Sequence, residues 1–358
     1  MHSPVFYYLT EMLGLRGVLC QLFQWNDAIK LTFRKCEMIE FDKEERMELE
    51  KREKIVIIGA AILDILVSPA ERSVFDTGSF PADAISMSFG GDALNEATVL
   101  SALGKKVYLI TVIGDDHAGT LILDHCARQR IELVGECSRV GLQTGINVVL
   151  VQENGERNFL TNRNGSLRKL RISDIPLGFP EDAGILCFAS IFVFPEIGCR
   201  EMADIFKSAK DQGLIVCADM TKRKNNETLE DISEALKYVD YLMPNEEEAF
   251  LITGEKEVPE AAEAFLRAGV GNVVIKCGKR GCYICDRRTK KYVPAAENVK
   301  CIDTTGAGDS FAAGFLYGLS EGWSLEACAV HANRCGAYAV SALGATDWCQ
   351  SSELVIGR

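Results

Sequence analysis

The sequence predicts a three-layer α/β domain built on a mainly parallel sheet. Three observations lead there. Short apolar runs alternate with segments of helical period over most of the chain. The chain has 358 residues and is 47% hydrophobic, which is enough apolar material for a full core. One stretch, 144–161, carries a hairpin signal instead and points to a second, smaller sheet.

The first fifty or so residues stand apart. Val5 to Phe33 mixes aromatic and apolar residues without strand alternation, and Phe41 to Lys54 is dominated by charges. Residues 1–53 therefore read as an N-terminal extension, with the domain proper at 54–358. Met38 and Met47 offer later starts, so the extension is expected to be a start-site artefact or a poorly packed appendage. The competing reading is a helix docked through Phe6, Leu13, Leu15 and Phe23.

Ile55 to Gly59 is a continuous apolar run ending in Gly, the pattern of a strand buried on both faces. A helix is expected from Leu94 to Leu103, a strand at Val107–Ile113 and a helix at Ala118–Arg130. Strands at Gly184–Phe188, Leu214–Ala218, Tyr241–Met243 and Val273–Lys276 alternate with helices at Arg200–Gln212, Leu229–Val239 and Glu246–Thr253. Phe311, Phe315 and Leu319 form one face of a helix at Ala307–Leu319, and Ala327–Val340 is a small-residue helix.

Two stretches break the alternation. Ile65 to Phe89 is too irregular for a crossover helix. Asn147–Gln152 and Arg157–Leu160 flank Asn154-Gly155, a strong two-residue hairpin signal. Residues 65–89 and 133–163 are thus expected to form an inserted β-sheet lid over the C-terminal edge of the main sheet, where open α/β folds bind ligands.

Composition narrows the function. Lys plus Arg is 39 against 51 Asp plus Glu, a net charge of −12, which argues against nucleic acid or an anionic membrane as partner. No apolar run is long enough to span a bilayer. Val5 to Phe23 is interrupted by Glu11 and Arg16 and lacks a basic leader, so it is a poor signal peptide. Of 14 cysteines, Cys187, Cys217, Cys277 and Cys328 sit inside apolar runs as small hydrophobes. Cys282-Tyr-Ile-Cys285 is a lone C-x-x-C, a weak zinc signal. A reducing cytoplasm is the simpler expectation.

The sharpest motif is Asp303-Thr-Thr-Gly306-Ala307-Gly308-Asp309, which runs straight into a helix. Its glycines permit a tight turn and close ligand approach. The helix start offers free N–H groups to an anion. Asp309 then sets a carboxylate beside that anion site, a costly arrangement unless it takes a proton from an attacking hydroxyl. The bland reading is a Gly-rich turn with Asp in the first helical turn. A second motif is Gly90-Gly91-Asp92-Ala-Leu-Asn95, where Asp92 and Asn95 share a side of a helix start and can bind hydroxyls; an ordinary helix start is its bland reading. In Asn245-Glu-Glu-Glu248, Asn245 is a plausible helix cap, or Asn245 and Glu248 organise water around Mg2+. Asp64 is expected to end the first strand, at the ligand edge.

The motifs at 303–311 and 90–97 resemble the two signatures of the PfkB, ribokinase-like, carbohydrate kinases, in the right order and at about the right separation. Asn245-x-x-Glu248 resembles that family's metal motif. The likeness runs from about Lys54 to about Asp347 and is nearest to a bacterial group of sugar kinases; Gly-Gly-Asp-x-Leu-Asn is also shared with 2-keto-3-deoxygluconate kinases. The resemblance implies a ribokinase-like α/β/α sandwich and ATP-dependent phosphorylation of a small sugar or sugar acid with Mg2+. It implies Asp309 as base and Gly306, Ala307 and Gly308 as anion hole. It assigns Asp64, Gly90, Gly91, Asp92 and Asn95 to substrate hydroxyls, and Asn245 and Glu248 to the magnesium site. It sets Lys276, Gly278 and Gly281 by the nucleotide ribose and Asn333 by adenine. Asp303 and Thr305, with the 341–344 loop, fall where many members hold a monovalent cation such as K+. Residues 1–53 have no family counterpart, and the chain ends soon after the adenine region, where relatives usually continue.

Arg163 is expected to pair with a substrate carboxylate. The lid hairpin is expected to form a homodimer by burying Val148, Leu150 and Phe159. Within the family a nucleoside kinase is the rival reading, although no aromatic pair is obviously set to sandwich a base. A nicotinamide-dependent dehydrogenase would need G-x-G-x-x-G after the first strand, which here reads Gly59-Ala-Ala-Ile-Leu-Asp64. A non-catalytic sugar-binding relative would have lost the base.

Overall fold

A computed structural model describes residues 52–153 and 156–350. The expectations for the N-terminal extension, apart from 52–53, and for the tip Asn154-Gly155 lie outside the described residues.

The chain enters at β1 (Lys54–Ile58) and turns at once into β2 (Ile62–Ser68). A single turn, α1 (Val74–Thr77), and β3 (Ala84–Gly90) lead to α2 (Asp92–Ala102). Then come β4 (Val107–Ile110), β5 (Ile113–Gly114), α3 (His117–Arg128), β6 (Ile131–Leu133) and β7 (Ser138–Arg139). The hairpin β8 (Ile146–Val151) and β9 (Arg157–Thr161) closes the first half. Next, β10 (Ala183–Ile191), α4 (Cys199–Asp211), β11 (Ile215–Met220), α5 (Leu229–Leu236) and β12 (Tyr241–Leu242) alternate regularly. Helices α6 (Glu246–Thr253) and α7 (Val258–Arg267) precede β13 (Asn272–Lys276). An antiparallel pair, β14 (Cys282–Cys285) and β15 (Lys290–Val293), and two long helices, α8 (Ala307–Ser320) and α9 (Leu325–Val340), complete the fold.

The main sheet has nine strands in the order β15-β14-β13-β12-β11-β10-β1-β4-β6. It is parallel from β6 to β13 and antiparallel beyond. Strand β1 is central, so its side chains feed two cores: Ile55 and Ile57 pack with α2, α8 and α9, while Val56 and Ile58 pack with α4, α5 and α7. Burial on both faces is why β1 reads as an unbroken apolar run, each Ile contributing about 1.5–3 kcal/mol. The strand order reverses between β1 and β10, which opens a crevice at their C-terminal ends. Cys187, Cys217, Cys277 and Cys328 are buried free thiols.

The second sheet has the order β3-β2-β8-β9. Four expectations need correcting here. Val107–Ile113 divides into β4 and β5, and β5 leaves the main sheet to pair with β7. Residues 133–145 therefore stay beside the main sheet, and the lid's second half begins only at β8. Register then separates two faces, because paired residues point the same way. Asp64 pairs with Ser88 and Asn147, Val149 with Phe159, and Val151 with Arg157. These residues share one face. Ile65, Val67, Ile85, Met87, Val148, Leu150 and Leu160 share the other. Phe159 thus points away from Val148 and Leu150, contrary to expectation, since side chains alternate with a period of two. Asp64 does not end the first strand: β1 stops at Ile58, and Asp64 is the third residue of the lid strand β2.

Candidate active site

The start of α8 forms the centre. Gly306 caps it with φ 69°, and a Cβ there would lie 2.6 Å from the Cα of Ala345, so both conformation and space demand glycine. Ala307 N donates back to Thr304 O at 3.3 Å, and the positive end of the helix dipole lies at this turn. A Cβ on Gly308 would approach the Lys276 ammonium at 3.7 Å, so that cation stands against the turn. Asp309 is the third helical residue. Asn95 Nδ2 donates to its Oδ2 at 2.7 Å. Burial first, then the nearby Asp92 and Asp219 carboxylates, push its pKa up to about 7 against the opposing pull of Asn95 and Lys276.

Strands β11 and β13 bring a buried ion pair to the same edge. Lys276, the last residue of β13, pairs with Asp219 near the end of β11. Burial works against the Lys276 charge, but Asp219, Glu248 and Asp309 together hold its pKa above the ordinary lysine value. Lys276, expected by the ribose, has its ammonium amid Asp219, Glu248 and Asp309 and beside the start of α8. Asp219 went unnoticed in the sequence, although it closes the run Ile215–Ala218 as Lys276 closes Val273–Ile275. Glu96, one helical turn beyond Asp92, is fully buried. Burial, then Asp219, Asp309 and Asp92, drive its pKa well above normal.

Asn245 and Glu248 form a reciprocal cap on α6. Glu248 N donates to Asn245 Oδ1 at 2.9 Å, and Asn245 N donates to Glu248 Oε2 at 2.8 Å. Burial raises Glu248 to about 7, against the pull of Lys276. Its second oxygen takes no part in the cap. Three carboxyl groups, Asp219, Glu248 and Asp309, thus share one ammonium. Among the described residues no three acidic, His or Cys side chains are grouped closely enough to hold a metal ion directly.

On the substrate side, Gly90 has the Asp64 carboxylate directly over it, where a Cβ would meet Oδ2 at 2.1 Å. Asn147 Nδ2 donates to Asp64 Oδ1 at 3.1 Å. Gly91, at φ 92°, lets α2 begin against the Ala60 carbonyl, 2.5 Å from where a Cβ would stand. Asp92 Oδ1 accepts from Ala60 N at 3.1 Å and Ala93 N at 2.8 Å, so it ties the β1–β2 turn to α2. Asn95 is buried, with its Oδ1 lacking a partner among the described residues.

The remaining residues divide. Gly278 (φ 56°) and Gly281 (φ 92°) shape the turn between β13 and β14. Asn333, expected beside adenine, donates from its amide nitrogen to the Val293 and Pro294 carbonyls at 3.1 and 3.0 Å and anchors the loop after β15. Arg163 is exposed in the turn after β9. The arginine that reaches the site edge is Arg157, which sequence reasoning missed. It pairs with Asp303 Oδ1 at 2.6 Å and donates to the Thr305 hydroxyl. Asp303 and Thr305 therefore engage a guanidinium where a monovalent cation was expected.

A crevice at a strand-order reversal, with a carboxylate, a glycine turn at a helix start and a second sheet beside it, is the arrangement that this chain presents. Residues 52–352 match the family described as pfkB family carbohydrate kinase, so the chain belongs to the PfkB carbohydrate kinases, phosphotransferases with a sugar acceptor. It is 27% identical over 307 residues to a probable fructokinase-5 of Arabidopsis thaliana, covering 81% of this chain and 92% of that one. It is 27% identical over 275 residues to a 2-dehydro-3-deoxygluconokinase of Haemophilus influenzae, covering 72% and 88%. The solved structure of a ribokinase from Thermotoga maritima superposes with a TM-score of 0.68 at 26% identity, covering 82% of this chain and 95% of that one. The fold is thus ribokinase-like. No helix among the described residues is long and apolar enough to cross a membrane.

Proposed function

We propose that this protein transfers the terminal phosphoryl group of ATP to a hydroxyl of a small sugar or sugar acid in the cytoplasm. The observation that carries the reading is Asp309: a carboxylate titrating near neutrality, 2.7 Å from Asn95 and at the head of the Gly306 turn. In the transfer, the hydroxyl oxygen bonds to the γ-phosphorus and the bond to the bridging oxygen of ADP breaks. The hydroxyl proton passes to Asp309. The N–H groups of Gly306, Ala307 and Gly308 and the Lys276 ammonium receive the charge on the transferring group. Asp64, Asp92 and Asn95 orient the acceptor against the Gly90-Gly91 backbone. Glu248, fixed by Asn245, would hold Mg2+ through water, and the ion supplies charge neutralisation on the phosphate oxygens. Gly278 and Gly281 let the β13–β14 turn border the ribose, and Asn333 shapes the adenine side through the loop it anchors. Arg163 would meet the carboxylate of an acidic substrate.

A homodimer through the lid belongs to the same reading. Ile85 is 70% exposed, and Met87 and Leu160 are each 59% exposed, on the face turned away from Asp64. An apolar sheet face of that kind is stable when covered, and a second copy of the lid covers it symmetrically.

The test is ADP release measured over a panel of sugars, sugar acids and nucleosides. The expected outcome is turnover on a sugar or sugar acid that vanishes in Asp309→Asn. Turnover confined to nucleosides would transfer the reading to the nucleoside branch, and retained turnover in Asp309→Asn would remove Asp309 as base.

A further inference from the structure

Arg157 lies on the same lid face as Asp64 and reaches out of the lid sheet onto the main domain. Its target, Asp303, has a side chain only 1% exposed, so the guanidinium supplies a positive charge to a nearly dry carboxylate. Asp303 Oδ1 also accepts from Thr305 N and Thr305 Oγ1, both at 2.8 Å, while Oδ2 accepts from Gly344 N at 3.0 Å. Burial acts to raise Asp303, but Arg157 and these donors outweigh it and hold the carboxyl below the ordinary range. The Thr305 hydroxyl both accepts from Arg157 and donates to Asp303. Thr305 directly precedes Gly306. One guanidinium thus braces the residues that lead into the anion turn, and it arrives from a strand 148 residues earlier in the chain.

Asp303 Oδ1 and Thr305 Oγ1, two side-chain oxygens of the expected cation site, are engaged by this guanidinium. These residues do not fit an added ion, because the charge is already present. We infer that Arg157 is a cation built into the lid, a positioning residue that holds the Asp303–Gly306 turn in its anion-binding shape when β9 lies over the site. Lid position and turn shape are then one coupled state. A sugar held under the lid by Asp64 favours the same lid position that keeps Arg157 on the turn, and phosphoryl transfer needs no K+. The inference rests on the Gly306 turn being the anion hole.

The test compares wild type, Arg157→Ala and Arg157→Lys, each in choline chloride and in KCl at matched ionic strength. Melting temperature and steady-state kinetics are both read. Wild type should show the same melting temperature and kcat in either salt. In choline chloride, Arg157→Ala should lose about tenfold or more in kcat with little change in KM for the sugar. KCl or low-millimolar guanidinium should restore part of that kcat, and KCl should raise the variant's melting temperature. Arg157→Lys, which keeps the charge, should remain indifferent to K+; this arm decides the matter if the alanine variant does not fold. Wild type activated several-fold by K+, or Arg157→Ala as active as wild type in choline chloride, would overturn the inference. The melting arm needs no turnover, so it reports on Arg157 even if no sugar is phosphorylated. Asp309→Asn separately reports on the base.

Discussion

Asp309 is poised by surroundings that tolerate its charge poorly: burial and two neighbouring carboxylates lift its pKa to about 7. A base must be ionised to accept a proton, so kcat/KM is expected to rise with pH through about 7 and level off above it. The same shift has a stability consequence. An unfolded Asp titrates near 4, so the protonated carboxyl favours the fold at low pH and that contribution is lost as pH rises through about 7. Asp309→Asn should therefore cut kcat by roughly a thousandfold while leaving sugar affinity nearly unchanged. Its melting temperature should exceed wild type more at about pH 8 than at about pH 5, measured by scanning calorimetry. Lys276 makes a sharper case. Lys276→Met strands Asp219 in a buried site and should cost about 3–5 kcal/mol in denaturant unfolding. Adding Asp219→Asn should recover much of that stability without recovering turnover, because the proposed transfer would still lack the Lys276 charge.

The start of α8 works as a unit because its turn is over-determined by Gly306. Alanine there would need the left-handed backbone at φ 69° and a Cβ 2.6 Å from Ala345. Gly306→Ala should cost about 1–3 kcal/mol by chemical denaturation and reduce kcat, while far-ultraviolet dichroism stays unchanged. The capping box on α6 shows a motif read two ways at once. Asn245 and Glu248 satisfy each other's backbone, which is the structural reading, and the cap also fixes the Glu248 carboxylate beside Lys276. A cap and a site residue are compatible because each carboxylate has two oxygens.

At the scale of the molecule, the lid is a sheet with two chemically distinct faces. One bears Asp64, Asn147 and Arg157; the other bears Ile85, Met87 and Leu160. Charge placed on the apolar face should separate the proposed dimer without touching the site face. Met87→Lys with Leu160→Lys is expected to halve the mass seen by light scattering at micromolar concentration. A wild-type protein that is monomeric there and fully active would refute the dimer.

The local chemistry of this protein is written in the sequence, because glycines at tight turns, caps and apolar periods act over a few residues. The turn at Gly306, the acid Asp309, the pair Asn245 and Glu248 and the strand Ile55–Ile58 are legible for that reason. The lid was legible as an interruption, through Asn154-Gly155. What the sequence could not carry is which distant groups meet. Asp219 looked like the end of one strand and Lys276 like the end of another, and only parallel order sets their charges together. Arg157 looked like an ordinary hairpin residue, while Arg163, six positions on, drew the functional reading. Strand register decides between them: Arg157 falls on the Asp64 face and reaches Asp303, whereas Arg163 lies past the end of β9 and stays exposed. Register is a property of pairing between strands far apart in the chain, and shifting it by one residue would exchange the lid's faces.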